Sequence, residues 1–501
     1  MRRLLLATVA VALASALDPT VASLATSTGV LAPLHVGALS DAVNVGTVPS
    51  WLTVATGGVL VGGSFLGTSL LTDHEGVRAV NAWSALVPTT ATLRRALVLA
   101  TRVVGVLGLA LVLRAATVGS TDPTANFAIV VVWIGWWAGF AMTTYLAGNA
   151  WPVLNPWRTV VDALPGAGGR ALPADYGAWP AVVGLLALVY VEVVSPLAAD
   201  PRLLGVVVAA YSVLTLAGAY RYGPDAWFER VDPVSRVFAV YGRLAPLQRD
   251  ANGVRLRLPG SGLVAGARER LRGESTETAV LGAESGTTAL LGRESGTTAL
   301  LGRESGMTTF VVALLWATTF DGLVTTPAWN DLATVVVEAG VPALGVYLVA
   351  LVAGFAAFRV LYRVAAERSR AIVDSRLSPA AIESWFAPAL VPIAAGYHVA
   401  HFLGYFLSLS PALEAVLRHP LGGGGVPQVA VLPGWFGTVE LGFVVVGHLL
   451  AVWVAHALAL ELFPGLLRPI RSQYPFVVVM VAYTMTSAWV IGQPFVDPVY
   501  L

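Results

Sequence analysis

Two late apolar stretches, GYHVAHFLGYFL and VELGFVVVGHLLAVWVAH, carry His398, His401, Glu440, His448 and His456. An ionisable group inside a run fit for a bilayer interior is costly, faces the inside of a bundle, and marks a site by default. His398 and His401 are three residues apart, so on a helix they share a face. Two imidazoles at that spacing can converge on one ion, and imidazole suits zinc, copper, iron and nickel. His448 falls at a similar depth on the next segment, counted at about 1.5 Å per residue, and completes a candidate metal set of His398, His401 and His448. His456 lies two turns deeper. The HxxH spacing lacks the glutamate of a zincin helix. The structural alternative is that each histidine hydrogen-bonds a neighbouring helix. Pro388 and Pro392 are expected to kink the first of these helices and open room near its centre.

Other chemistry-bearing residues are scattered. Asp321, in TTFDGLVTTPAWND, is a candidate general base in a segment that reads as a loop dipping back into the protein beside Trp329. His35 and Asp41 are expected on the same outer side and complete a catalytic mouth, where a metal would acidify a water. Alone, Asp321-Gly322 reads as a helix end or a solvated turn. Glu192 and Glu338 sit inside apolar runs as relay carboxylates or ion-pair partners for the embedded Arg102. Asn155, in GNAWPVLNPWRTVV, suits an interfacial turn more than cargo coordination. Trp133, Trp136 and Trp137 read as packing or lipid-facing residues. LGGGGVPQ lacks the GKS/T of a phosphate loop.

The composition fixes where these groups must work. The 501 residues are 56% hydrophobic and 12% charged, and mean hydropathy is +0.74. That is an all-α, polytopic integral membrane helix bundle, with the lipid bilayer as its first partner. A net charge of +1 excludes the concentrated basic face of a nucleic-acid binder. With no cysteine, disulfides, thiolate nucleophiles and Cys-ligated zinc are excluded.

Residues 1–25 have a basic start and a short apolar core, the pattern of a signal peptide or short anchor, and 26–49 read as an extracytoplasmic segment. About ten transmembrane helices are expected to follow, near 50–71, 96–114, 126–147, 178–196, 203–219, 307–320, 333–357, 385–408, 436–461 and 475–492. They fall into five in 50–219, a cytoplasmic loop at 220–306, and five in 307–501 that include the histidine pair. Arginines concentrate in alternate loops, which predicts a multi-pass protein of the cell (plasma) membrane with both mature termini extracytoplasmic. The long loop holds a decad repeat at 274–306, with Glu274, Glu284, Glu294 and Glu304 in register. Its units are too short and too few for a solenoid, and it reads as a low-complexity linker.

Several motifs occur in order: HVGALSD, LNPWRTVVDAL, RYGPDAWFERVDPVSRVFAVYGRLAPL, TTFDGLVTTPAW, AHFLGYF, GHLLAVWVAH and RSQYPFVVVMVAYT. Together they resemble a family of bacterial and archaeal polytopic membrane proteins often named fenitrothion hydrolase. The resemblance runs from His35 to the last span, interrupted by the decad repeat. It implies hydrolysis of a lipophilic organophosphate ester, and its matching positions include His35, Asp41, Asn155, Asp321, His401, His448 and His456.

Three readings follow. One is a metal-dependent hydrolase of lipophilic esters or lipid-linked substrates, with zinc or copper in an extracytoplasmic site. The second is a transporter or channel for a metal ion, proton or small solute near the midplane. The third is a bis-histidine haem protein, with His401 and His448 as axial ligands.

Overall fold

The computed structural model describes residues 50–250, 253–265, 306–421 and 428–501. The expected signal segment, His35, Asp41 and the decad repeat up to residue 305 lie outside them. Within them the chain is an integral membrane bundle of helices with one small sheet.

Helix α1 (Ser50–Ser69) ends where Asp73 caps α2 (His74–Ala82), accepting from the Glu75 amide. The two bend by 112°. After strand β1 (Ser84–Val87), α3 (Ala91–Val118) starts on a Thr90 cap. Helix α4 (Phe127–Leu146) is capped by Asn126, whose Oδ1 accepts from the Ala128 amide at 2.8 Å. Short helices α5 (Trp151–Leu154) and α6 (Pro156–Ala163) lead to α7 (Trp179–Val194). Helix α8 (Pro201–Tyr222) stops at Gly223, where φ is +88° and a side chain would be strained. Two further short helices, α9 (Pro224–Arg230) and α10 (Pro233–Tyr241), precede strands β2 (Leu247–Asp250) and β3 (Gly253–Arg257).

The three strands form an antiparallel sheet in the order β1-β3-β2, with Ala85 and Leu247 both opposite Leu256. The sequence reading took this part of the cytoplasmic segment as loop. What it lacked was the distant partner: β1 lies some 170 residues upstream of β3, and only the bundle brings them together.

The second half begins with α11 (Met307–Leu323), followed after an 84° bend by α12 (Pro327–Glu338). Helix α13 (Ala343–Ile372) and the broken rod α14 (Pro379–Ser408) come next, then α15 (Ser410–Arg418), α16 (Phe436–Leu462) and α17 (Leu467–Ile491). Among the described residues seven helices are long and apolar enough to cross a membrane, or nine if each bent pair counts as one span. Helix α7 is apolar but shorter. Each of the ten expected segments overlaps a helix, but the register differs at one: the expected span at 333–357 falls partly on α12, and α13 runs on to Ile372.

Helix α14 is the buried centre. It crosses α16 where Gly396 faces Gly447, so close that a Cβ on Gly396 would stand 2.9 Å from the Gly447 Cα. Close backbone approach through small residues is the usual way membrane helices gain packing without a hydrophobic drive. The break in α14 is a 3-10 turn over Ala387–Leu390 with Pro388 in it, as the two prolines suggested.

Candidate functional site

The middle of α4, Val130–Phe140, is wound as a π-helix. Its i→i+5 bonding widens the helix, and such segments gather at functional sites. Here the wide turns set Trp133, Trp136 and Trp137 into the wall of a cavity of about 560 Å³. The opposing walls come from α3, α7, α8, α10, α11 and α14. The tryptophans interlock: the Trp136 ring lies 5.6 Å from Trp151, and Trp137 lies 6.3 Å from Phe402. They therefore pack against neighbouring rings and line the cavity.

Into this apolar wall the structure puts three groups of different character, His398, Asp321 and Glu192. His398 is fully buried, its ring 5.7 Å from Trp137 and nearly perpendicular to it. Its Nδ1 is 2.9 Å from the Tyr145 hydroxyl. Its Nε2 has no hydrogen-bond partner among the described residues. A buried polar atom left open in this way costs about 1–3 kcal/mol unless something fills its place.

Asp321 lies one step behind. His401 Nε2 is 3.1 Å from its Oδ2, an imidazole donating to a carboxylate across α14 and α11. Tyr397, one turn before His401, stacks on that imidazole with ring centres 6.1 Å apart. The expected Asp-Gly turn is instead the last turn of α11: the apolar run carries the helix through to Leu323, and the bend comes at Thr326-Pro327. Gly322 leaves room for the Tyr397 hydroxyl, which a Cβ there would strike. Trp329 is buried as expected.

The remaining candidates are dispersed. His448 gives its Nδ1 to the Val444 carbonyl of its own helix, 2.7 Å away, and does not join His398 and His401. His456 bridges the Leu71 carbonyl (2.8 Å) and the Gln473 amide (3.3 Å). Glu440 is buried on α16, and its Oε1 lies against Gly404, one turn beyond His401. Glu338 is exposed at the end of α12, because that helix stops where the sequence reading placed a span interior. Arg102 pairs with neither glutamate; it holds Asp162 at 2.8 Å. Asn155 is a turn residue, accepting from the Arg158 amide at 2.9 Å and facing Ser235 at 3.3 Å.

Among the described residues no three histidines or carboxylates stand together to hold a metal ion. The expected set of His398, His401 and His448 is therefore not drawn together as a metal-holding group. Tyr145 is the partner that sequence reasoning missed. Nothing local marks it; only the packing of α4 on α14 brings it to His398. The site is thus an aromatic, almost wholly apolar cavity with one open imidazole nitrogen and two carboxylates. No family model, curated protein or solved structure matches the chain.

Proposed function

We propose that this integral membrane protein is a carrier that draws a lipophilic small molecule from the bilayer into the cavity behind α4. The observation that carries the reading is the cavity itself. Its size lies within the range of small-molecule sites, its wall is apolar and aromatic, and the few polar groups that would orient a guest converge on it. The open His398 Nε2 gives the guest a hydrogen-bonding point. The Asp321–His401 pair stands behind it.

A second reading, hydrolysis of a lipophilic ester, has one observation in its favour. His398 is oriented by Tyr145 and turns its other nitrogen to the cavity, which is where a water-activating base would stand. The resemblance to the fenitrothion hydrolase family supports the same reading.

One experiment separates the two. The purified, detergent-solubilised protein is titrated with p-nitrophenyl laurate while tryptophan fluorescence and nitrophenol release are followed. The carrier reading expects saturable quenching without turnover, abolished in Gly108→Phe, whose added ring would enter open space at the cavity wall. Nitrophenol release that vanishes in His398→Gln would establish the hydrolase instead. Neither signal, with the protein folded, overturns both.

A further inference from the structure

The polar hydrogens of the cavity wall show what a guest must offer. Five tryptophans line the space. Three of them spend the indole N–H inside the protein: Trp133 on the Leu197 carbonyl at 3.3 Å, Trp151 on the Ser235 hydroxyl at 2.9 Å, and Trp157 on the Ser212 hydroxyl at 2.8 Å. The Nε1 of Trp136 is also buried, but it has no partner among the described residues. An indole N–H only donates, so what Trp136 lacks is an acceptor. Buried tryptophans usually have one.

His398 reads the same way once its tautomer is settled. Its Nδ1 meets the Tyr145 hydroxyl at 2.9 Å, and among the described residues that hydroxyl has no other hydrogen-bond partner. Were Nδ1 to donate, the phenol's own hydrogen would stay buried with nothing to accept it. With the hydroxyl donating to Nδ1, both groups are satisfied, and the hydrogen of the neutral imidazole sits on Nε2. Nε2 is the atom left without a partner. In this tautomer it is a donor and not a base, which sides with the carrier reading.

The wall thus holds two N–H groups without acceptors, each on a ring beside Trp137, at 6.0 Å for Trp136 and 5.7 Å for His398 between ring centres. The carboxylates of the wall do not take these hydrogens. Both already interact within the protein, Asp321 with His401. A hydrocarbon guest would fill the volume and leave both N–H groups unpaired. A carbonyl oxygen brings two lone pairs and no hydrogen of its own.

We infer that the guest of this cavity is a lipophilic carbonyl compound, with its oxygen accepting from His398 Nε2, Trp136 Nε1 as the second donor, and its apolar body packed on the tryptophans. The inference rests on the reading that the cavity takes a lipophilic guest.

The test compares benzophenone with its hydrocarbon isostere diphenylethylene, in which a methylene group replaces the oxygen. Each is titrated calorimetrically into the full chain in neutral detergent, with empty micelles subtracted. The ketone is expected to bind about tenfold more tightly, as one buried hydrogen bond would make it. His398→Phe and Trp136→Phe each remove an N–H and keep an aromatic ring. Both are expected to lose most of that preference, His398→Phe the more, while affinity for the hydrocarbon stays within about twofold. Infrared difference spectra of isotope-labelled benzophenone need no variant: the carbonyl stretch of the bound ketone should fall below its frequency in empty micelles. Equal affinities for the two probes, a preference unchanged in both variants, or an unshifted carbonyl band overturns the carbonyl assignment and leaves the cavity reading standing. Saturable binding of neither probe, with the protein folded, overturns the cavity reading as well.

Discussion

Two regions of the bundle treat their buried polar groups in opposite ways. At the end of α16 the ionisable groups are closed. His74 faces the Leu460 carbonyl at 3.0 Å and the Gly465 carbonyl at 3.1 Å. His456 is used on both nitrogens, and Glu383 is gripped by Arg359 and Arg363. Asp232, at the start of α10, is closed too. Burial pushes its carboxyl above the usual carboxylate range, and the Tyr211 hydroxyl and Ser235 amide that donate to it pull the other way. On the cavity wall, by contrast, His398 is closed on one side only. Closed groups fasten helices; a half-open one in a cavity is set for something that arrives.

The comparison breaks most visibly at the closed end. Glu383→Ala takes the buried carboxylate from Arg359, while Arg363 keeps Glu367, and is expected to lower stability by about 1.5–3 kcal/mol, the loss of charged hydrogen bonds. Thermal unfolding in detergent reads this, and probe binding by the surviving folded protein should be unchanged. Gly447→Val drives methyl groups into the Pro392 carbonyl, 2.5 Å from where its Cβ would lie. It should cost about 1–3 kcal/mol and weaken probe binding too, because α14 carries His398.

How much of this was legible in the sequence follows from range. The helices are written in long apolar runs, and the caps at Asp73, Asn126 and Asp200 are residues of the right type just ahead of them. The histidines and Asp321 announced themselves as ionisable groups out of place. Pairing was not legible. His401 and Asp321 are eighty positions apart and His398 and Tyr145 are separated by 253, so which nitrogen meets which oxygen depends on helix order in the bundle. The three tryptophans of α4 pack as one of their two readings had it, but the cavity they line was not legible: a π-helical turn changes which residues share a face, and a 3.6-residue period does not reveal it.

Smaller effects sharpen the contrast. His456→Leu removes the Leu71 carbonyl's imidazole contact and one of the two contacts of the Gln473 amide, and should cost about 1–3 kcal/mol by thermal unfolding. His398→Phe gives up the Tyr145 hydrogen bond, roughly 1 kcal/mol, yet should reduce ligand binding far more than its stability change explains. Gly108→Phe meets open space and should leave the melting temperature within the range of neutral substitutions, about 0.5 kcal/mol, while closing the cavity.

The most direct measurement is an anomalous-diffraction structure of the protein soaked with a brominated lipophile such as 4-bromobiphenyl. The account predicts bromine signal inside the cavity, between the Trp137 ring and His398, and its loss in Gly108→Phe. Bromine found only on the outer, lipid-facing surface of the bundle, with the cavity unchanged, would contradict it.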